Sequence, residues 1–290
     1  MKYFFAVFIL FFACSPSRAQ KQDRLLVKAY QSGSTEKLEF FFNKWIQETQ
    51  PLSPIAIEAL SDTVRNIYLL FRQFYNPLKI GSIGGSEWGN DIYKRAKYFL
   101  LQDHIPFGFV DTLDKDILSQ KQYSRLAKQL NITVDSVIKG SKDEDNLGIN
   151  FIFEWPTAKK FDTIYHFRPV VSFQTPKTVV LTEQYDLLLN NFLGSDHYAL
   201  GKGSIMSPAT SKGESAKRQK FLENCIKIWY GHWGGYWQLY SYPLVNSIVF
   251  DRRFENALVN YQLVYEGGYA YFRKIKGTWT LMEAKRTWIE

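Results

Sequence analysis

The stretch with the greatest capacity for chemistry is Tyr230-Gly231-His232-Trp233-Gly234-Gly235-Tyr236-Trp237. A histidine can serve as acid, base or hydrogen-bond donor near neutral pH. Here it stands among four aromatic side chains, and three glycines permit tight turning and close backbone approach. The string reads as a pocket rim: His232 as the polar group, and Trp233, Tyr236 and Trp237 as stacking surfaces for a small molecule or a glycan. The same residues also fit a helix-to-strand corner, with the glycines serving the backbone and the rings plugging the end of a core. Tyr236 and Trp237 are neighbours on a strand and point to opposite faces. Trp237 shares parity with Leu239, Val245 and Val249, the more apolar register, so it is the inward one. His232 and Trp237 are therefore expected to border one cavity. Tyr261, on the apolar face of a later strand, joins the candidate ligand-binding set.

Other chemistries find no complete motif. The four histidines, His104, His166, His197 and His232, lie far apart, and neither Cys-x-x-Cys nor His-Glu-x-x-His occurs, so no metal site is expected. Gly84-Gly85-Ser86-Glu87-Trp88 lacks the last glycine of a nucleophile elbow. Gly84 and Gly89 have phosphate-loop spacing, but Asn90-Asp91 stand where Lys and Ser or Thr belong. Gly201-Lys202-Gly203-Ser204 lacks the third glycine of a dinucleotide loop, and no cofactor is expected. Lys202, Lys212, Lys217, Arg218 and Lys220 against Glu214 form a local basic peak. It fits either an anionic partner or a solvated face.

These observations leave three functional readings. The first is a non-enzymatic binding or accessory protein with a ligand cavity in its C-terminal part. The second is a hydrolase or isomerase using His232 with a nearby carboxylate. The third is a structural surface protein with no small-molecule site.

The chain that must position these groups has 290 residues, 46% hydrophobic and 22% charged, with a net charge of +8. Those values are globular and exclude disorder, collagen and a plain coiled coil. Lys2, the apolar run Tyr3–Ala13 and the small-residue exit Ser17-Arg18-Ala19 make a signal peptide over residues 1–19. The run is too short to span a bilayer, and no later stretch is long enough to do so. Export to the periplasm or medium is expected, and nucleic acid is not expected as a partner. The alternative is a lipoprotein anchored through Cys14, although Phe11 and Phe12 are bulky for that pattern. Loss of residues 1–19 removes Lys2 and Arg18 and no acid, lowering the net charge from +8 to +6. Cys225 then remains as the single cysteine, so an internal disulfide is excluded. Nothing in the sequence fixes the oligomeric state.

Apolar residues at helical spacing predict helices over Asp23–Tyr30, Thr35–Glu48, Ile55–Tyr75, Tyr123–Leu130, Glu183–Leu193 and Glu214–Ile228. Strands are expected at Lys97–Val110, Ile149–Glu154, Thr163–Phe167, Val170–Phe173 and Thr178–Leu181, and an exposed loop at Ile138–Asn146. Three long strands follow: Tyr236–Phe250, Ala257–Lys274 and Thr278–Ile289. The middle one puts Ala257, Val259, Tyr261, Leu263 and Tyr265 on one face and Asn256, Asn260, Gln262 and Glu266 on the other. Gly267-Gly268 is expected to bulge it. The fold class is α+β: a helical and mixed α/β N-terminal part, residues 20–175, plus a curved, cone-like antiparallel sheet packed by helices over 176–290.

Tyr265-Glu266-Gly267-Gly268-Tyr269-Ala270, Lys274, Gly277-Thr278-Trp279-Thr280-Leu281 and Thr287-Trp288-Ile289 resemble the terminal hairpin of the nuclear transport factor two-like (SnoaL-like) superfamily. The resemblance covers about residues 180–290. It implies a strongly curved sheet whose cavity is the usual small-molecule site, and it is nearly silent on activity. The chain as a whole resembles exported bacterial proteins.

Overall fold

The computed structural model describes residues 18–85, 91–142, 153–171, 173–194, 213–230 and 237–289. Along the chain, α1 (Arg18–Gln31) and α2 (Thr35–Glu48) form a helical hairpin, followed by α3 (Pro54–Glu58), α4 (Asp62–Phe74) and a 3-10 segment, Pro77–Ile83. Strands β1 (Tyr98–Gln102) and β2 (His104–Val110) precede α5 (Lys115–Leu130) and α6 (Val134–Lys142). Then come β3 (Phe161–Tyr165), β4 (Lys177–Leu181), α7 (Glu183–Leu193) and α8 (Gly213–Leu222). Two short strands, β5 (Trp229–Tyr230) and β6 (Trp237–Gln238), lead to β7 (Leu244–Asp251), β8 (Asn256–Leu263), β9 (Glu266–Ile275) and β10 (Thr278–Ile289).

Two cores organise these elements. In the first, α1, α2, α7 and α8 pack around β1 and β4, which pair in parallel. Leu38, Phe41, Phe42 and Trp45 recur at i, i+3, i+4 and i+7, so α2 turns one stripe inward, and all four are fully buried. Trp45 stacks on Tyr185 at 4.1 Å and donates its indole N–H to the Val180 carbonyl at 2.9 Å. Ser34 caps α2 by accepting from the Lys37 N–H.

The second core lies under a six-stranded sheet of order β10-β9-β8-β7-β2-β3. The strands pair antiparallel except β2 with β7. Helix α4 and the 3-10 segment cover the face that carries Ala257, Val259, Tyr261, Leu263, Phe272 and Trp279. The opposite face carries a smaller cluster, in which Leu113 and Ala158 meet Val249, Leu258 and Tyr271. The class is α+β with a curved sheet packed by helices.

Several elements differ from the sequence expectation. The stretch 98–110 is two strands that part at Asp103, one entering each core. The sheet thus takes β2 and β3 from upstream of residue 176, so a boundary at 175 does not separate the two cores. Residues 257–274 form a hairpin, β8 and β9, in which Leu263 pairs with Glu266 and Val264 turns at φ 51°. Gly267 and Gly268 allow close approach by β10. A Cβ on Gly267 would lie 2.2 Å from the Trp288 ring, and one on Gly268 would lie 2.1 Å from the Lys285 carbonyl. The helix expected over 55–75 breaks before Ser61, whose hydroxyl caps α4 at Val64. Strand 236–250 is interrupted, because residues 239–243 turn aside to meet β1. Residues 134–142 are helical, Val170 and Val171 lie in no strand, and the last helix stops at Leu222.

Candidate functional site

The curve of the sheet is filled. Phe71 and Phe74 of α4 pack there with Tyr261, Phe272 and Trp279 of the sheet. Tyr261 is 1% exposed, and its hydroxyl donates to the Ile83 carbonyl. Among the described residues Tyr261 is part of the sheet core, and it does not line the cleft that Trp237 borders. His232, Trp233 and Tyr236 lie outside the described residues.

Trp237 does border a cleft, at the seam between the two cores. The cleft has a volume of about 480 Å³. One wall is α7, contributing Asp186, Leu187 and Asn190; the other is the segment Trp237–Leu244, with Gln262 at the end of β8. Each wall is held by identifiable bonds. Trp237 is 7% exposed and donates its indole N–H to the Gly194 carbonyl at 2.9 Å, fixing β6 to the end of α7. Ser241 docks on β1 in both directions: its N–H donates to the Leu100 carbonyl at 2.9 Å, and its hydroxyl accepts from the Leu100 N–H at 3.0 Å. Tyr75 donates to the Ser241 carbonyl at 3.1 Å, and the Tyr242 N–H donates to the Tyr93 hydroxyl at 2.7 Å. Tyr242 in turn donates to the Gln238 amide oxygen at 2.6 Å. The cleft is thus built on a rigid scaffold, as a preorganised site requires.

The polar groups of the cleft are concentrated. Asp186 and Asn190 are one turn apart on α7 and face the same way. The Asn190 amide donates to the Asp186 carbonyl at 2.9 Å and to its carboxylate at 3.1 Å. Burial raises the Asp186 carboxyl above the ordinary carboxylate range; Asn190 opposes this, and the charge of Asp103 adds to it. The Tyr240 hydroxyl is pushed up to about 12, by burial first and then by the negative fields of Asp103 and Asp186. Asp103 sits at the β1–β2 junction, and its carboxylate lies 2.9 Å from Nδ1 of His104. Among the described residues no group of three or more His, Cys, Asp or Glu could hold a metal ion. Nor is any helix among them long and apolar enough to cross a membrane.

Comparison with protein-family models, curated proteins and solved structures finds no match. The site therefore rests on its own geometry. Of the residues singled out from the sequence, Trp237 lies at it. Asp186, Asn190, Tyr240, Tyr242 and Gln262 were not singled out. The i, i+4 spacing of Asp186 and Asn190 was the one available signal, and it carries no motif.

Proposed function

We propose that the protein is an exported, non-catalytic binding protein whose cleft between α7 and residues 237–244 holds a saccharide or similar polyol. The observation carrying this reading is the meeting, on one open cleft, of aromatic rings with a carboxylate and three side-chain amides. A sugar ring offers C–H faces that pack on Trp or Tyr, and adjacent hydroxyls that pair with carboxylate and amide groups. Asp186 and Asn190 supply an acceptor and a donor side by side, and Gln238 and Gln262 face them. Export rests on the run Tyr3–Ala13 and its small-residue exit. The likeness of the terminal hairpin to the nuclear transport factor two-like superfamily belongs to the same reading, with the ligand moved from the curve of the sheet to the seam of the cores.

Calorimetric titration with a panel of neutral mono- and oligosaccharides tests this. At least one is expected to bind. Tyr240→Ala and Asp186→Ala should each weaken it at least tenfold while the circular dichroism spectrum stays native. A wild-type protein that binds no member of the panel would sink the reading.

A further inference from the structure

We propose that a second surface, remote in character from the cleft, binds a linear acidic polysaccharide. It forms where the turn Arg95–Lys97 is strapped to the segment after α8. The Cys225 carbonyl accepts from the Lys97 N–H at 2.7 Å and from the Tyr98 N–H at 3.0 Å. A groove lies on each side of this strap. One, of about 640 Å³, runs between the start of α2 and α8 and is lined by Arg95, Lys97, Lys220 and Glu223. The other, of about 250 Å³, is lined by Asp91, Ile92, Lys94, Arg95, Glu223 and Lys227. Arg95 and Glu223 border both, so the two grooves form one track.

The charges along the track are mostly uncompensated. Lys97 is held by Glu39 at 2.5 Å, and Lys94 lies 3.8 Å from Asp91 with both groups exposed. Lys227 sits over the Trp229 ring at 4.6 Å, which leaves its charge intact. Among the described residues Arg95 and Lys220 have no ion pair. Cations in a concave surface focus the field on an anionic chain.

The rest of the lining selects the kind of chain. Thr35, Gln219, Glu223 and Asn224 offer hydroxyl, amide and carboxylate partners for sugar hydroxyls. Among the described residues no aromatic ring lines either groove, so neither base stacking nor neutral-sugar stacking supplies affinity there. The cations stand at the exposed rims of two concave grooves, where a chain can lie between them. Ile226 in the second groove is 2% exposed and Ile92 is half-buried, so neither large apolar side chain there is fully exposed for insertion into a bilayer. A linear polysaccharide carrying uronate or sulfate groups meets all of these conditions.

Affinity electrophoresis through gels containing polygalacturonate, sulfated dextran or neutral dextran tests the proposal, with vesicles of phosphatidylglycerol as a separate arm. Wild type is expected to be retarded by one or both acidic polymers and not by neutral dextran, with retardation fading as salt rises. Arg95→Gln combined with Lys220→Gln should weaken retardation at least tenfold. Lys128→Gln, an exposed lysine on α5, should leave it unchanged, as should Tyr240→Ala in the cleft. The last variant separates failure here from failure of the saccharide cleft. No retardation at about 50 mM salt, equal loss from Lys128→Gln, wild-type behaviour of the double variant, or binding to vesicles alone would each overturn the proposal.

Discussion

The side chain of Gln102 bonds to the backbone of Val245 in both directions. The Val245 N–H donates to the Gln102 amide oxygen at 2.7 Å, and the Gln102 amide nitrogen donates to the Val245 carbonyl at 2.9 Å. The same nitrogen donates to the His104 carbonyl at 2.8 Å. Gln102 closes β1 in the first core, Val245 opens β7 in the second, and Gln102 is 4% exposed. A buried amide thus does the work of a strand neighbour where the two cores meet.

Gln102→Leu keeps the volume and removes the bridge. Each backbone group left buried without a partner should cost about 1–3 kcal/mol. Urea unfolding followed by tryptophan fluorescence is the check, and a midpoint equal to wild type would show that the bridge contributes nothing to joining the cores.

Trp279 is 3% exposed in the sheet core, with its ring 5.7 Å from that of Phe250 and the Lys274 ammonium 5.0 Å above it. Trp279→Ala should cost about 3–5 kcal/mol, as large aromatic truncations in cores do. Tyr261 lies in the same core cluster, as the alternation along β8 requires. Retention of wild-type stability by Trp279→Ala would contradict this packing.

Cys225 is fully buried beneath α8 and the strap, and burial pushes its thiol up to about 12. Only the thiolate is a competent nucleophile. The native protein should leave Cys225 unmodified by iodoacetamide at neutral pH, and the same protein in urea should be alkylated there. Peptide mapping reads both, and rapid native labelling of Cys225 would refute the burial.

What the sequence made legible follows from where the determining contacts lie. Helices α2 and α7 appear with their observed bounds because their apolar stripes are local, as is the Ser34 cap of α2. The split at Asp103 carries no turn signal; it depends on Gln102 reaching Val245, 143 residues away. The β8–β9 turn places Val264 in a conformation that its residue type disfavours, so the hairpin was hidden within one long apolar register. The alternation that put Tyr261 on the apolar face of its strand agrees with its burial. The cleft was not visible because its walls, α7 and residues 237–244, meet only through bonds such as Trp237 to Gly194.

Asp186 links stability to the proposed site. Its carboxyl is raised, chiefly by burial, so the folded protein holds a proton that the unfolded chain has already released. The contribution of Asp186 to stability is therefore greatest at a pH below the unfolded aspartate value, about 3.9, and falls as pH rises through the folded value. Above that window the cost of the buried charge is present in full. Asp186→Asn removes the charge and keeps an oxygen for Asn190 to donate to. The variant should match wild type in strong acid, exceed it at neutral pH, and show a flatter dependence between; urea unfolding at a series of pH values reads this directly. The same substitution takes away the carboxylate offered to sugar hydroxyls, so saccharide binding should weaken while folding strengthens, as in other sites that trade stability for function. A variant that is stabilised yet binds saccharide as wild type does would remove Asp186 from the site and leave it a purely structural group.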